Sequence, residues 1–175
     1  MAPEDTTAAD SVDTEALGLI PAPRTLTPAP SGPYALDRET PLNAAPGTEG
    51  VAHWLRTTLG AATGLPLPEG AGDHGIVLAL DEELAPEAYR LAVEAEAVRI
   101  TGGSAAGVFR GAGTLRQLLG PDAFRRAPLA PAGAWEVPAV VVEDEPRFGW
   151  RGLMLDVSRH FLPKDDVLRY LDLLA

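Results

Sequence analysis

Asp144-Glu145-Pro146-Arg147-Phe148-Gly149-Trp150-Arg151-Gly152-Leu153-Met154-Leu155-Asp156-Val157-Ser158-Arg159-His160-Phe161-Leu162-Pro163 is followed by Lys164 to Ala175, where the sequence stops. This stretch reads as a turn, a buried strand from about Arg151 to Val157, a polar strand end and one amphipathic helix. In that helix Val167, Leu168, Tyr170, Leu171 and Leu174 form an apolar stripe with no C-cap behind it. One strand-helix unit cannot bury both of its apolar faces. The expectation is the first unit of a larger α/β structure, ending inside its first helix, with apolar surface exposed over residues 150–175.

Upstream of Pro146 the chain has the length and pattern of a separate domain, with the boundary near Glu145-Pro146. Residues 1–16 carry Glu4, Asp5, Asp10, Asp13 and Glu15 with no base, and read as a disordered acidic tail. Five prolines between Leu19 and Pro33 allow at best an edge strand. Val51, Trp54, Leu55, Thr58 and Leu59 predict a helix, with Thr48 as N-cap and Gly60 as stop. Gly75 to Leu80 is a continuous apolar run that fits a buried strand. Alternation over Tyr89–Val93 and Val98–Thr101 predicts a hairpin. Ser104 caps a predicted helix running to Leu119, in which Gly107, Gly111 and Gly113 favour close packing on the sheet. Gly120-Pro121 ends that helix, a proline-rich loop runs to Ala134, and Trp135–Val142 reads as a strand interrupted by Pro138. The domain is therefore α+β: a sheet with two helices on one face.

The composition narrows the function. A net charge of −11 with scattered basic residues argues against nucleic acid as a partner. The absence of cysteine excludes disulfides, thiolate catalysis and zinc–thiolate sites. Met1 is followed by an acidic segment without a secretory apolar stretch, and no apolar run approaches the ~20 residues of a membrane span. A cytoplasmic protein with no removed leader and no membrane partner is expected.

Two stretches resemble one family, glycoside hydrolase family 20, the β-N-acetylhexosaminidases. Pro146-Arg147-Phe148-x-Trp150-Arg151-Gly152-x-Met154-Leu155-Asp156-Val157-Ser158-Arg159-His160-Phe161 is similar to the start of its catalytic barrel. Tyr89-Arg90-Leu91, Val98-x-Ile100, Gly107-Val108-Phe109-Arg110-Gly111 and Thr114-Leu115-Arg116-Gln117-Leu118-Leu119 resemble its accessory domain. The two stretches keep the family's order and spacing, and extend the resemblance over roughly residues 17–175.

The resemblance implies a zincin-like accessory domain with a small mixed or antiparallel sheet over residues 17–145. The first βα unit of a truncated (β/α)8 TIM barrel follows over 146–175. It further implies hydrolysis of terminal non-reducing N-acetylhexosamine, GlcNAc or GalNAc, from β-glycosides such as glycans or chitooligosaccharides. In such enzymes a Glu protonates the leaving oxygen, and the substrate's own acetamido oxygen attacks the anomeric carbon. An adjacent Asp orients that acetamido group, making this the substrate-assisted exception among retaining glycosidases. A complete barrel takes about 250 residues, so the Asp-Glu pair is expected outside this sequence. No residue here is assigned as catalytic, and the chain by itself is expected to be inactive. One competing reading is a non-catalytic carbohydrate- or partner-binding α+β module. Another is a related hexosaminidase acting on disaccharide units.

Barrel sites lie at the C-terminal ends of the strands, which places Arg159 at the pocket. By resemblance it is the arginine that hydrogen-bonds sugar hydroxyls at the non-reducing end, and a guanidinium fork suits adjacent oxygens. The plainer alternative is a surface salt bridge to Asp165 or Asp166. Strand parity turns Asp156 toward the barrel axis, where it is expected to hold arginines in place, with His160 in a similar supporting or packing role. Arg151 reads as structural. Asp144-Glu145, although adjacent, precedes the barrel and is set aside as a catalytic pair. Asp81-Glu82-Glu83 and Asp165-Asp166 read as solvated. His53 and His74 stand apart and no His-Glu-x-x-His occurs, so no metal and no cofactor are expected. Gly102-Gly103 and Gly111-x-Gly113 lack the features of phosphate loops.

Overall fold

The computed structural model describes residues 13, 17–128 and 134–174. Apart from Asp13, the expected acidic tail lies outside the described residues, as does the part of the proline-rich loop at 129–133. The chain divides into two units, one ending at Glu145 and one beginning at Pro146.

The first unit contains β1 (Thr25–Pro28), β2 (Tyr34–Leu36), β3 (Leu42–Ala44), α1 (Glu49–Thr63), β4 (Gly75–Leu80), β5 (Tyr89–Val93), β6 (Ala97–Gly102), α2 (Ala105–Leu118), β7 (Trp135–Val137) and β8 (Val140–Asp144). Six strands form one mixed sheet in the order β1-β8-β5-β6-β4-β3. The β1, β8, β5 and β6 pairings are antiparallel, whereas β6/β4 and β4/β3 are parallel. The β3–β4 pair is parallel because α1 supplies the crossover that such a pair requires. The proline-containing strand β1 lies at an edge, where a missing backbone donor is tolerated. β2 and β7 pair separately, because Pro138 ends β7 and β8 then joins the larger sheet.

Register explains the core. Leu26, Val142, Leu91, Ile100 and Leu78 are successive cross-strand partners, so one apolar row runs across five strands. Val142, Leu91, Ile100 and Leu78 are fully buried. Arg90, Ala92, Arg99 and Thr101 have the opposite parity and are exposed or half-buried. α2 packs on β4, β5 and β6, and α1 packs on β3 and on α2. Together they cover a cluster that includes Leu55, Leu59, Val108 and Leu115. Close approach of α2 depends on glycine. A β-carbon on Gly107 would lie 2.2 Å from the Ala88 carbonyl oxygen.

The helix ends refine the expectations. Ser104 accepts from the Ala106 amide at 3.1 Å and caps α2. Thr48 occupies the N-cap position of α1, but its hydroxyl donates to the Ala45 carbonyl at 2.7 Å. Gly60 does not stop α1. The helix continues to Thr63, because Ala62 and Thr63 are buried, and burial there outweighs the roughly 1 kcal/mol cost of a helical glycine. The end comes at Gly64, whose φ of 73° is open to glycine and whose amide returns to the Gly60 carbonyl.

In the second unit the helix forms, as α3 (Lys164–Leu174). The expected strand over Arg151–Val157 does not: these residues join no sheet among the described residues. A strand is defined by its neighbour's hydrogen bonds, and none is provided here. Trp150 is 87% exposed, Met154 90% and Phe161 86%, and no residue of α3 is buried.

Candidate functional site

The motif residues of the second unit gather on a turn that leads into α3. The Pro163 carbonyl accepts from the amides of Asp166 at 3.1 Å and Val167 at 3.3 Å, which starts the helix. Asp165 and Asp166 occupy its first turn, where the helix dipole favours carboxylates. Val157–Arg159 form the preceding turn. Asp156 organises it: Oδ1 accepts from the amides of Ser158 at 2.9 Å and Arg159 at 3.2 Å. This is the local backbone bonding that makes aspartate a turn former. The second oxygen, Oδ2, pairs with Arg159 Nε at 3.5 Å.

Two of the three sequence-derived site residues are thus brought together by local geometry. The ion-pair partner of Arg159 is Asp156, and not the Asp165 or Asp166 considered from sequence, because a spacing of three residues within a turn closes the pair without any longer-range structure. Arg159 remains highly exposed and Asp156 half-exposed. His160 is exposed and shares no hydrogen bond with the pair among the described residues. The Arg151 guanidinium donates to the Phe148 carbonyl and helps fold the approach to this segment.

The first unit has a feature that the sequence reading missed. A cleft of about 490 Å³ opens where β4 and β6 end and β5 begins, with Arg24, Asp81, Glu83, Arg90, Glu143 and Asp144 among its lining residues. Arg90 pairs with Glu143 at 3.5 Å. The Arg24 amide donates to Asp144 Oδ1 at 3.1 Å, and its guanidinium pairs with Glu145. Asp144-Glu145 is therefore engaged in tying β1 to the end of β8. Nothing in the sequence announced Arg24, since its partners lie 120 and 121 positions away.

The other candidates have structural explanations. Gly102 and Gly103 are packed against backbone: a β-carbon on Gly103 would meet the Ala85 carbonyl oxygen at 2.1 Å. His74 offers its carbonyl to the Asn43 side chain at 2.6 Å, and His53 is exposed on α1. No group of three or more His, Cys, Asp or Glu side chains among the described residues could hold a metal ion. No helix among the described residues is long and apolar enough to cross a membrane.

The model of glycosyl hydrolase family 20, domain 2, matches residues 16–145, and that of the glycosyl hydrolase family 20 catalytic domain matches residues 148–175. Both place the chain in a class of glycoside hydrolases. The chain belongs to glycoside hydrolase family 20. It is 36% identical over 167 residues to a β-N-acetylhexosaminidase of Cellulomonas fimi, an alignment covering 91% of this chain and 32% of that protein. Its fold is similar to that of the family 20 β-N-acetylhexosaminidase from Streptomyces coelicolor, with a TM-score of 0.79 and 40% identity, covering 87% of this chain and 31% of that one. It is also similar to an exo-β-N-acetylglucosaminidase from Vibrio harveyi solved in complex with N-acetylglucosamine. There the TM-score is 0.78 and the identity 27%, covering 95% of this chain and 25% of that one. The chain spans about a third or less of the length of the curated relatives it matches.

Proposed function

We propose that this chain is the N-terminal part of a β-N-acetylhexosaminidase. Residues 17–145 form its accessory domain, zincin-like in layout, and residues 146–175 begin its catalytic (β/α)8 barrel. The observation that carries the reading is the succession, in one chain and in this order, of the domain 2 match and the catalytic-domain match. The substrates are β-glycosides ending in a non-reducing N-acetylhexosamine, and a relative of this fold was solved with N-acetylglucosamine bound. Catalysis is substrate-assisted and retaining. A glutamic acid outside this sequence protonates the glycosidic oxygen, the substrate's acetamido oxygen attacks the anomeric carbon, and a neighbouring aspartate orients the acetamido group. Arg159 donates to sugar hydroxyls at the non-reducing end, Asp156 supports it, and His160 packs beside them.

Two measurements test the reading. Sequencing the gene beyond the Ala175 codon is expected to show a continuing frame that encodes further strand-helix units and an adjacent Asp-Glu pair. A stop codon there would favour a non-catalytic carbohydrate- or partner-binding module, a reading supported by the self-contained core of the first unit. The purified 175-residue chain is expected to release no 4-nitrophenol from 4-nitrophenyl N-acetyl-β-D-glucosaminide. Turnover by that chain would show that it holds a catalytic pair of its own.

A further inference from the structure

We propose that the open face of the six-stranded sheet carries a glycan-binding row of Thr25, Glu143, Arg90 and Thr101, which takes a linear β-linked N-acetylhexosamine oligosaccharide. The identity of the sugar rests on the reading of the chain as part of a hexosaminidase. The row rests on strand register. Thr25 lies opposite Glu143, Glu143 opposite Arg90, and Arg90 opposite Thr101. Side chains paired in this way share one face of a sheet. That face is opposite the one where Val142, Leu91 and Ile100 are fully buried. Hydroxyl, carboxylate, guanidinium and hydroxyl therefore follow one another across β1, β8, β5 and β6, at the usual strand spacing of about 4.8 Å. Thr25, Glu143 and Arg90 are exposed and Thr101 is half-buried. All four line the cleft of about 490 Å³.

Two features set this row apart from an ordinary solvated face. It is walled by the turn from Asp81 to Ala88, which is tied to the end of β6. The Asp81 amide donates to the Gly102 carbonyl at 3.0 Å, the Gly103 amide to the Ala88 carbonyl at 3.1 Å, and the Ser104 hydroxyl to the Pro86 carbonyl at 2.6 Å. A wall fixed in advance spares a ligand the cost of ordering it. The pairing within the row also adds little stability. Arg90 Nη1 stands 3.5 Å from Glu143 Oε1 with both side chains more than half exposed, and such pairs are weak in water. That contact engages only one of the nitrogens that carry the five N–H donors of Arg90. Charge then selects the ligand. Arg90 and Glu143 cancel at the centre of the row, while Asp81 and Glu83 in the cleft repel anionic sugars. A hydroxyl both donates and accepts, so a neutral sugar suits every member of the row. A hexopyranose unit is about as long as one strand spacing, so successive units laid across the strands meet successive groups. Leu84 and Ala85 offer apolar contact to the ring C–H groups. Tyr89 offers no stacking surface, because it is buried with its hydroxyl on Thr114 at 2.6 Å.

The test is a titration of the ¹⁵N-labelled 175-residue chain with N,N′,N″-triacetylchitotriose, read by amide shifts. Without a ring to stack on, the expected dissociation constant is on the order of 1 mM. Shifts should concentrate at Arg90, Thr101, Glu143 and residues 81–85, and should saturate together. Arg90→Met and Thr101→Val should each weaken binding about threefold or more, the effect of one lost hydrogen bond. Thr101→Val keeps the shape of the side chain, so its spectrum elsewhere should be unchanged. Arg99→Met is the control: Arg99 lies one row away, opposite Ala92, and pairs with Asp73 at 3.4 Å. It should leave the affinity as it was. No saturable shift in the row up to about 20 mM sugar would overturn the proposal. So would shifts confined to residues 156–160, or equal weakening by Arg99→Met. Failure of the hexosaminidase reading looks different. A complete reading-frame product that leaves 4-nitrophenyl N-acetyl-β-D-glucosaminide intact, with the row shifts present, would count against the enzyme and keep the glycan site. Hydrolysis by that product with no shifts in the row would remove the site alone.

Discussion

A β-carbon added to Gly111 would lie 2.5 Å from Ile100 Cγ2 and 3.0 Å from Tyr89 Cδ2, whereas one added to Gly113 would meet nothing within 4 Å. Ile100 and Tyr89 are buried and cannot give way easily. Gly111→Ala should therefore destabilise the domain by about 1–3 kcal/mol through overpacking, even after the helix-propensity gain. Gly113→Ala should stabilise it by about 0.5–1 kcal/mol, because only the propensity term remains. Urea midpoints moving in opposite directions would bear this out. The sequence displayed both glycines in one helix and suggested close packing, but only the register of α2 on the sheet separates them. Tyr89 supplies a second prediction at this scale. Burial pushes its phenol up to about 12, against the opposing effect of its hydrogen bond with Thr114. The unfolded chain loses this proton near pH 10, so stability intact below pH 10 should fall by up to about 2–3 kcal/mol between pH 10 and 12. Tyr89→Phe should flatten that alkaline slope. An unchanged slope in the variant would assign the loss to other groups.

Elements were legible where a local chemical signal marks them. Ser104 announces α2, and its oxygen both accepts from the Ala106 amide and donates to the Pro86 carbonyl at 2.6 Å. Ser104→Ala is expected to cost about 1 kcal/mol, within the usual range for a lost N-cap. Thermal melts of the two proteins would measure it, and a cost near zero would mean that water replaces the hydroxyl. The alternating hairpin β5–β6 and the apolar run of β4 were equally readable, because each is long enough to show its period. β2 and β3 were not. Each has three residues, too few for any period to declare itself, and they exist because Val137 and Leu78 lie opposite Tyr34 and Ala44. The end of α1 was misplaced for a related reason. Gly60 and Gly64 look alike in sequence, and only the burial of Ala62 and Thr63 selects the second. At the site, the residue types and a supporting role for Asp156 toward arginines were readable, but the ion-pair partner of Arg159 was not: Asp165 and Asp166 stood as alternatives, and the i,i+3 turn selects Asp156.

At the scale of the whole molecule, the two units differ in what holds them together. The first has a six-stranded sheet, two packed helices and fully buried side chains such as Leu55, Ile76 and Leu91. The second has one helix of eleven residues with nothing buried in it, and a segment over 151–157 that joins no sheet among the described residues. Isolated helices of that length are marginal in water, since most helical stability comes from a packed apolar face. Leu168, Leu171, Leu173 and Leu174 are all exposed, which is the condition for association between chains. Removing residues 147–175 should therefore leave the thermal transition of the first unit within a few degrees of its original position, and should raise the concentration at which the protein stays monomeric. Calorimetry and light scattering on the two proteins would measure both effects. A transition lowered by ten degrees or more would correspond to about 3 kcal/mol or more for a domain of this size, and would mean that the second unit contributes to the stability of the first. A monomeric range that did not widen would mean that the exposed leucines are not what drives association. If both expectations hold, the strand-helix segment is stabilised only by structure outside this sequence, which is the physical content of assigning it to the start of a barrel.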